Sequence, residues 1–200
     1  DRSSAASDVY KRQDNNFKLP KIEDFENLIT EKTKGILICN PNNPTGYVYS
    51  RDEIKTLVEI VKKHNLFLIA DEVYREFTYE NTTHTSILEF SEIQQNAIVI
   101  DSVSKRYSMC GARIGCIISK NPEFISTAMK FAQARLSPPT LAQIASTAAM
   151  DVGEEYFDSV INEYNERRKT LIKGLNEIPG VKVSIPNLSL IHISEPTRPL

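Results

Sequence analysis

Three short apolar runs, each ended by a cluster of polar, turn-forming residues, constrain the fold of this chain more than any other feature. They are Ile36 to Cys39, which stops at NPNNPTG, Leu66 to Ala70, which stops at DEVY, and Ala97 to Ile100, which stops at DSVSK. Continuous apolar runs of this length are typical of strands that are buried on both faces. We therefore expect these runs to form a sheet that is covered by helices on both sides.

Helical patterns alternate with the apolar runs. Ser50 and Glu53 form a capping box ahead of apolar residues at helical spacing. Ile114 to Ile118 predicts a fourth strand, and Asn121, with proline and glutamate directly after it, predicts the start of another helix. This alternation predicts an α/β fold with a mostly parallel sheet covered by helices and with right-handed crossovers between its strands.

The two ends of the chain differ in character from the rest. Residues 1–13 are polar and aperiodic, and residues 188–200 follow no helix or strand pattern consistently. The strings DVYKRQ and LSLIHISEPTRPL resemble translated sequencing-adapter sequence, so we expect both ends to be non-native tails. Between them, residues 14–152 are expected to form part of a large domain, and residues 153–187 to start a smaller C-terminal domain with a long helix and a strand from Val181.

Composition excludes several classes of function. The formal net charge is −2 and there is no basic block, which argues against nucleic acid or an anionic membrane as the main partner. The three cysteines form no CxxC pair, so we expect neither a metal site nor a disulfide framework, and a reducing cytoplasmic location fits best. No apolar run is long enough to span a bilayer. His64 and His84 are expected to be solvated residues without a chemical role.

Polar residues follow each of the three apolar runs at the point where the predicted strand ends. Asn43 follows the first, Asp71 the second and Lys105 the third. Open α/β sheets bind ligands at the carboxyl ends of their strands, so these side chains are expected to share one site at one edge of the sheet. A carboxylate and an amine at such an edge could also form a simple ion pair.

The strings NPNNPTG, DEVY and SVSKRYSMCGARIG, in this order and at these separations, closely resemble those of class I and II aminotransferases of the pyridoxal-phosphate (PLP) fold type I. The resemblance implies that residues 14–152 are part of the PLP-binding large domain and that a small α+β domain begins after it. It covers about half of such a subunit. The family's glycine-rich phosphate loop, its ring-stacking aromatic residue and its arginine for the substrate α-carboxylate are expected outside this segment. The isolated chain is therefore expected to bind PLP poorly and to be inactive.

The resemblance also assigns the reacting residues. Lys105 would hold PLP as a Schiff base and serve as the base that moves a proton, tasks that need an amine. Asp71 would pair with the pyridine nitrogen, where an attraction of about 4 kcal/mol at about 4 Å is enough to keep that nitrogen protonated. Asn43 and Tyr74 would donate hydrogen bonds to the phenolic oxygen of the cofactor. An N-cap or turn aspartate, a turn asparagine and a packed tyrosine are the plainer alternatives.

A second group of residues is implied to bind the cofactor phosphate. Ser102, Ser104 and Arg113 would form it, with the guanidinium giving two hydrogen bonds and a charge. A plain surface residue is the alternative for Arg113. Nearby cations such as Arg113 would also lower the pKa of Lys105. Arg135, in the string KFAQARLSPPT, could meet the distal carboxylate of a substrate, although an exposed helix charge is the favoured interpretation.

The function implied for the parent protein is transfer of an amino group between an amino acid and a 2-oxo acid, with aspartate or another common amino acid as the donor. Two alternatives stay open. One is another PLP enzyme, a lyase or decarboxylase, because substrate contacts choose among PLP reactions. The other is the aminotransferase-like sensor domain of a transcription regulator, which a helix-turn-helix segment upstream would favour. The resemblance further implies a homodimer.

Overall fold

The computed structural model describes residues 17–79, 82–181, 183 and 185–188. The α-helices are α1 (Ile22–Glu26), α2 (Arg51–His64), α3 (Val103–Arg106), α4 (Pro122–Arg135), α5 (Thr140–Ala149) and α6 (Glu154–Asn176). The strands are β1 (Gly35–Cys39), β2 (Phe67–Asp71), β3 (Ala97–Ser102) and β4 (Gly115–Ile118). Short 3-10 turns cover Ile87–Glu89, Ser91–Ile93 and Cys110–Ala112. The four predicted strands and the main predicted helices are confirmed, with ends that shift by one or two residues.

The four strands form a single sheet in the order β1-β2-β3-β4. The first three are parallel, and β4 runs antiparallel to β3, which confirms a mostly parallel sheet. Asp71 lies beside Cys39 on one side and beside Ile100 on the other, and Ser102 lies opposite Gly115. The carboxyl ends of the three parallel strands and the beginning of β4 therefore meet at the same edge.

One face of the sheet packs against α2 and forms the core. Ile54, Leu57 and Val58 of this helix are fully buried, and they cluster with apolar side chains of β2 and β3 such as Leu68 and Val99. The predicted capping box at the start of the helix is present, since the Ser50 and Glu53 side chains each accept from the other residue's backbone. Fourteen residues of helix with five buried apolar positions anchor this layer.

The other face of the sheet is only partly covered within the described residues, since Ile98 of β3 is buried while neighbouring side chains are exposed. The expectation that helices cover both faces is therefore wrong for this chain. Leu37 is 69% exposed and Ile117 is 50% exposed. The helix α4 that follows β4 leaves them exposed, although its Phe124 ring lies 6.2 Å from the ring of Phe67 at the start of β2. Side chains two apart in a strand share a face, which places Asp71 on this face together with Ile69.

The long helix α6 packs beside the loops at the carboxyl edge. Val160, Ile161 and Tyr164 contact a small buried cluster that includes Tyr74 and Phe77. The ring centroids of Phe77 and Tyr164 are 6.3 Å apart in an edge-to-face arrangement. The apolar side chains on one face of this helix are thus used for packing.

The chain after α6 returns to the same edge. The backbone N–H of Asn187 donates to the Gly46 carbonyl at 2.8 Å, and Tyr79 N–H donates to the Asn187 carbonyl at 3.2 Å. The predicted strand from Val181 includes residues 182 and 184, which lie outside the described residues, as do nearly all of the predicted tails. The boundary at residue 153 stays a prediction. Within the described ranges, no helix is both long and apolar enough to cross a membrane.

Candidate active site

The loops at the carboxyl edge of the sheet carry the predicted site residues. Asn43 follows β1 by four residues, and Asp71 is the last residue of β2. Ser102 ends β3, and Lys105 lies in the short helix α3 that follows it directly. Because these three strands are parallel and adjacent, their following loops meet at one place, as the sequence predicted.

Asn43, Tyr74 and Lys105 come together at this edge. The Asn43 side-chain amide donates to the Tyr74 hydroxyl oxygen at 2.8 Å. The Lys105 amine lies over the Tyr74 ring, with Nζ 5.7 Å from its centroid. Tyr74 is buried at 6% exposure, and the lysine is half-buried. Among the described residues the Lys105 amine has no carboxylate partner, so the simple ion pair with Asp71 is not formed.

Asp71 turns the chain at the end of β2 and keeps one carboxylate oxygen available. Its Oδ1 accepts from the Val73 backbone N–H at 3.2 Å, which is the turn role considered for this residue. The described residues provide no hydrogen-bond donor to Oδ2. Because Oδ1 is held by the turn, the Asp71 carboxylate has a fixed orientation. Its Oδ2 can still accept a hydrogen bond from another group.

Ser102 and Ser104 form the N-terminal turn of α3. The Ser102 hydroxyl oxygen accepts from the Ser104 backbone N–H at 2.9 Å. This bond uses a lone pair of the serine oxygen and leaves its proton free to be donated elsewhere. The Ser102 side chain is therefore oriented by the local helix start.

Arg113 lies on the segment that pairs with the end of β3, but its side chain forms no hydrogen bond with Ser102 among the described residues. The Val103 N–H donates to the Ile114 carbonyl at 3.3 Å, which ties the two segments together. Arg113 is exposed and adopts φ 57°, and its Nη1 donates to the Cys110 carbonyl at 3.0 Å. No hydrogen bond or ion pair links it to Ser102, Ser104 or Lys105 within the described part of the chain.

The Asn-Pro loop is held by its own side chains. Asn42 Oδ1 accepts from the Thr45 hydroxyl at 2.7 Å and from the Thr45 N–H at 3.2 Å. Gly46 has φ +71°, and a Cβ at this position would collide with Pro186. Only glycine fits such a left-handed, closely packed position without strain. Thr45 and Gly46 thus shape the loop.

A buried polar network behind the site was not predicted from the sequence. Glu72 is 1% exposed, and its carboxylate accepts from Ser86 Oγ at 3.0 Å, from Ile87 N–H at 3.0 Å and from His84 Nε2 at 3.2 Å. The other ring nitrogen of His84 is 3.3 Å from Asn40 Nδ2. The expectation that His84 is solvated is therefore wrong. The available signal was a glutamate placed directly after an apolar strand, where burial requires a partner.

Cys39 lies at the same edge but is unsuited to nucleophilic chemistry. Burial raises the pKa of the Cys39 thiol, a hydrogen bond from the Asn43 backbone opposes this in part, and the nearby Asp71 carboxylate adds a smaller increase. The thiol thus stays protonated at neutral pH. The described residues include no group of acidic, histidine or cysteine side chains that could hold a metal ion.

The side chains at the edge fit a PLP group. PLP presents an aldehyde, a pyridine nitrogen, a phenolic oxygen and a phosphate. The site offers an amine without an anionic partner, a carboxylate with one free oxygen, an amide–phenol pair and two serine hydroxyls. Each is of the type that the corresponding group would need. Arg135, by contrast, is the exposed last residue of α4 and has no ion pair within the described ranges.

Comparison with known proteins identifies the relatives of the chain. A family model described as aminotransferase class I and II matches residues 3–199. An aspartate aminotransferase of Thermotoga maritima is 38% identical over 169 residues, covering 84% of this chain and 43% of that protein. An aspartate aminotransferase of Bacillus subtilis is 35% identical over 170 residues, again covering 84% of this chain and 43% of that protein.

Solved structures agree with these relatives. The aromatic aminotransferase of Pyrococcus horikoshii superposes with a TM-score of 0.82 at 28% identity, covering 88% of this chain and 47% of that one. The aspartate aminotransferase of Thermotoga maritima superposes with a TM-score of 0.79 at 35% identity, covering 88% and 45%. The chain spans less than half the length of the relatives that it matches.

Proposed function

The chain belongs to the class I and II aminotransferase family, and from this premise we propose that it is part of a PLP-dependent enzyme that moves an amino group between an amino acid and a 2-oxo acid. One observation carries the proposal. The half-buried amine of Lys105 lies beside the Asn43–Tyr74 pair and at the same strand edge as Asp71, and no carboxylate of the described residues neutralises it. An amine without an ion-pair partner is suited to react with a carbonyl group.

Bound PLP would supply an electron-accepting ring that lowers the cost of removing the substrate α-proton. Lys105 would hold the cofactor through Nζ and, once released, carry the proton between two carbon atoms. The orientation of this amine over the Tyr74 ring, 5.7 Å from the ring centroid, limits the positions from which it can take or return a proton.

Asp71 would stabilise a proton on the pyridine nitrogen. Its carboxylate is fixed by the bond to Val73 N–H, so that Oδ2 can face a cationic partner without reorganising. A neutral amide at this position would lose the charge that holds the proton. We therefore propose that Asp71 provides the electrostatic stabilisation in the reaction.

Asn43 and Tyr74 would tune the cofactor's phenolic oxygen together. Because the Asn43 amide already donates to the Tyr74 oxygen, the proton of that phenol is available for a second acceptor. Ser102 and Ser104 would bind the phosphate, with Arg113 joining them by a change of side-chain rotamer, since its guanidinium is exposed and bonded only to the Cys110 carbonyl within the described residues. A guanidinium is well suited to a phosphate because its donors match two oxygens.

Several wider features belong to the same proposal. Residues 14–152 would be part of the PLP-binding large domain and residues 153–187 the start of the small domain. The parent enzyme would be a cytoplasmic homodimer acting on amino acids and 2-oxo acids. The aspartate aminotransferases among its relatives make aspartate a reasonable donor to test first.

The deciding experiment is reductive trapping on the purified chain. The chain is incubated with PLP, reduced with borohydride and digested, and the phosphopyridoxyl mass is located by peptide mass spectrometry. We expect the label on Lys105 in preference to exposed lysines such as Lys120, and we expect Asp71→Asn to weaken this preference. Label distributed evenly over surface lysines, in this chain and in the full-length parent, would overturn the proposal.

A further inference from the structure

Four charged side chains form a closed cluster directly behind the candidate site. Arg106 Nη2 donates to Asp101 Oδ2 at 2.7 Å, and Arg106 Nε forms a 2.7 Å ion pair with Glu76 Oε1 that lacks hydrogen-bond geometry among the described residues. Arg75 makes the same two contacts, 2.9 Å from Glu76 Oε1 and 3.1 Å from Asp101 Oδ2. Each arginine thus bridges both carboxylates, and the two positive and two negative charges balance.

The cluster is attached to the predicted site residues through the backbone. Two of its members directly follow Tyr74, one directly follows Lys105 and one directly precedes Ser102. Arg75 and Glu76 come from the turn after β2, whereas Asp101 lies near the end of β3 and Arg106 lies in the α3 turn that follows it. Any rotation of one turn against the other would have to break the bridges between them.

Burial makes these contacts more than loose surface pairs. The Asp101 side chain is 6% exposed and the Arg106 side chain 14% exposed. Asp101 also accepts from the Ser102 backbone N–H at 2.7 Å, so the same carboxylate holds the start of the α3 turn. Screening by solvent is weak for groups buried to this extent.

We propose that the Arg75–Glu76–Asp101–Arg106 cluster is a positioning device that fixes the Lys105 turn against the Tyr74 turn. The inference rests on the proposed function, since it assigns the cluster to that site. Net stability alone does not explain such a cluster, because partly buried ion pairs often contribute little once desolvation is counted. A planar guanidinium that joins two carboxylates holds their separation and orientation more rigidly than an ammonium group, whose three donors rotate on a flexible stem.

The test compares Arg106→Met with Arg106→Lys in the full 200-residue chain. The first readout is hydrogen exchange of the α3 turn, where Tyr107 N–H donates to the Val103 carbonyl and Ser108 N–H to the Lys105 carbonyl. We expect Arg106→Met to accelerate this exchange on the order of tenfold. Arg106→Lys should give an intermediate increase, because it keeps the charge and loses the bridge.

Two control variants separate positioning from general destabilisation. Arg167→Met removes an arginine from an exposed pair with Glu163 on α6 and should leave the α3 turn unchanged. Val58→Ala removes two methyl groups from the buried core. It should lower the melting temperature without a selective effect on the α3 turn. The second readout is the fraction of borohydride-trapped PLP on Lys105 relative to Lys120 in the same variants. That fraction should fall in Arg106→Met and recover in part in Arg106→Lys.

The outcomes distinguish this inference from the proposed function. Exchange of the α3 turn that does not respond to Arg106→Met, or that responds equally to Val58→Ala, overturns the positioning role whatever the labelling shows. A selective exchange response supports the role. If that response occurs while wild-type Lys105 takes no label in the chain or its parent, the proposed function fails and the mechanical coupling of the two turns stands.

Discussion

The side-chain amide of Asn43 donates a hydrogen bond of 2.8 Å to the phenolic oxygen of Tyr74, although 31 residues separate the two in the chain. The bond joins the loop after β1 to the turn after β2. Tyr74 is buried at 6% exposure, so the bond is shielded from competition by solvent. Two of the predicted cofactor contacts are therefore assembled by the fold before any ligand binds.

This relationship predicts energetic coupling between the two residues. We expect Asn43→Ala and Tyr74→Phe each to lower the free energy of unfolding by about 0.5–1.5 kcal/mol. The double variant should lose less than the sum, since the second substitution removes a bond that is already gone. Urea denaturation of the four proteins measures the coupling. Asn43→Ala combined with Ser126→Ala, an exposed serine on α4, is the control that should be additive, and strict additivity for the first pair would contradict the prediction.

Much of this site was predictable from the sequence, and the reason is topological. Asn43, Asp71 and Lys105 each follow an apolar run, and parallel strands deliver such residues to one edge whatever their separation in the chain. The Asn43–Tyr74 contact itself was not predictable, because it depends on the curvature of two loops. The orientation of Arg113, a phosphate ligand or a surface residue by its sequence, was not predictable for a similar reason. Arg113 has a φ of 57°, a left-handed backbone conformation that the residue pattern did not predict.

His84 is the clearest failure of the sequence-based interpretation and gives a second prediction. Its imidazole is one of three donors to the buried Glu72 carboxylate. Removing it in His84→Ala leaves that carboxylate one hydrogen bond short, at a cost of about 1–3 kcal/mol in the free energy of unfolding. Thermal and urea denaturation at pH 7 measure this loss. His64→Ala, which affects a more exposed pair with Glu26, should cost much less, and equal losses would argue against the network.

The exposed part of the sheet was not predicted from the sequence pattern. Apolar runs such as Ile36 to Cys39 predict burial on both faces, yet Leu37 is 69% exposed in this chain. An apolar strand pattern reflects the burial of the strand. The helices that bury it need not belong to the same segment of sequence. The start of α4 was nevertheless predictable, because Asn121 accepts from the Phe124 N–H at 2.9 Å as its capping role requires.

The helix cap of α2 provides a third prediction with a well-bounded size. Ser50 Oγ accepts from Glu53 N–H at 3.2 Å, while Glu53 Oε2 accepts from Ser50 N–H at 2.8 Å. We expect Ser50→Ala to lower the free energy of unfolding by about 1 kcal/mol. Ser126→Ala, in the first turns of α4 and away from its cap, is the matched control and should change stability far less. Urea denaturation of both variants provides the comparison, and indistinguishable losses would count against the cap.

Thiol reactivity tests the environment assigned to the strand edge. Burial raises the pKa of Cys39, and only the thiolate reacts with iodoacetamide. At pH 8 we expect Cys39 to be alkylated at least about tenfold more slowly than the exposed Cys110, and to catch up in urea, where its burial is lost. Peptide mass spectrometry over time measures both rates. Fast alkylation of Cys39 in the folded chain would contradict its placement.

Tyr79 provides the pH-dependent prediction. Burial raises the pKa of Tyr79 to about 12, with Arg168, whose guanidinium lies 4.7 Å from the ring centroid, acting in the opposite direction. The unfolded chain releases this proton near pH 10, so between pH 10 and about 12 the unfolded state binds fewer protons than the folded state, and stability falls as pH rises.

Tyr79→Phe removes this titrating group while keeping the ring. The Tyr79 hydroxyl is buried without a hydrogen-bond partner among the described residues, so the variant should be at least as stable as the wild type at pH 7. Its advantage should then grow by up to about 2 kcal/mol as the pH approaches 11.5, since one pKa unit corresponds to about 1.4 kcal/mol. Urea denaturation at pH 7, 10 and 11 follows the difference. Because every other tyrosine, lysine and cysteine titrates equally in both proteins, a difference that stays constant with pH would show that Tyr79 ionises as readily in the folded chain as in the unfolded one.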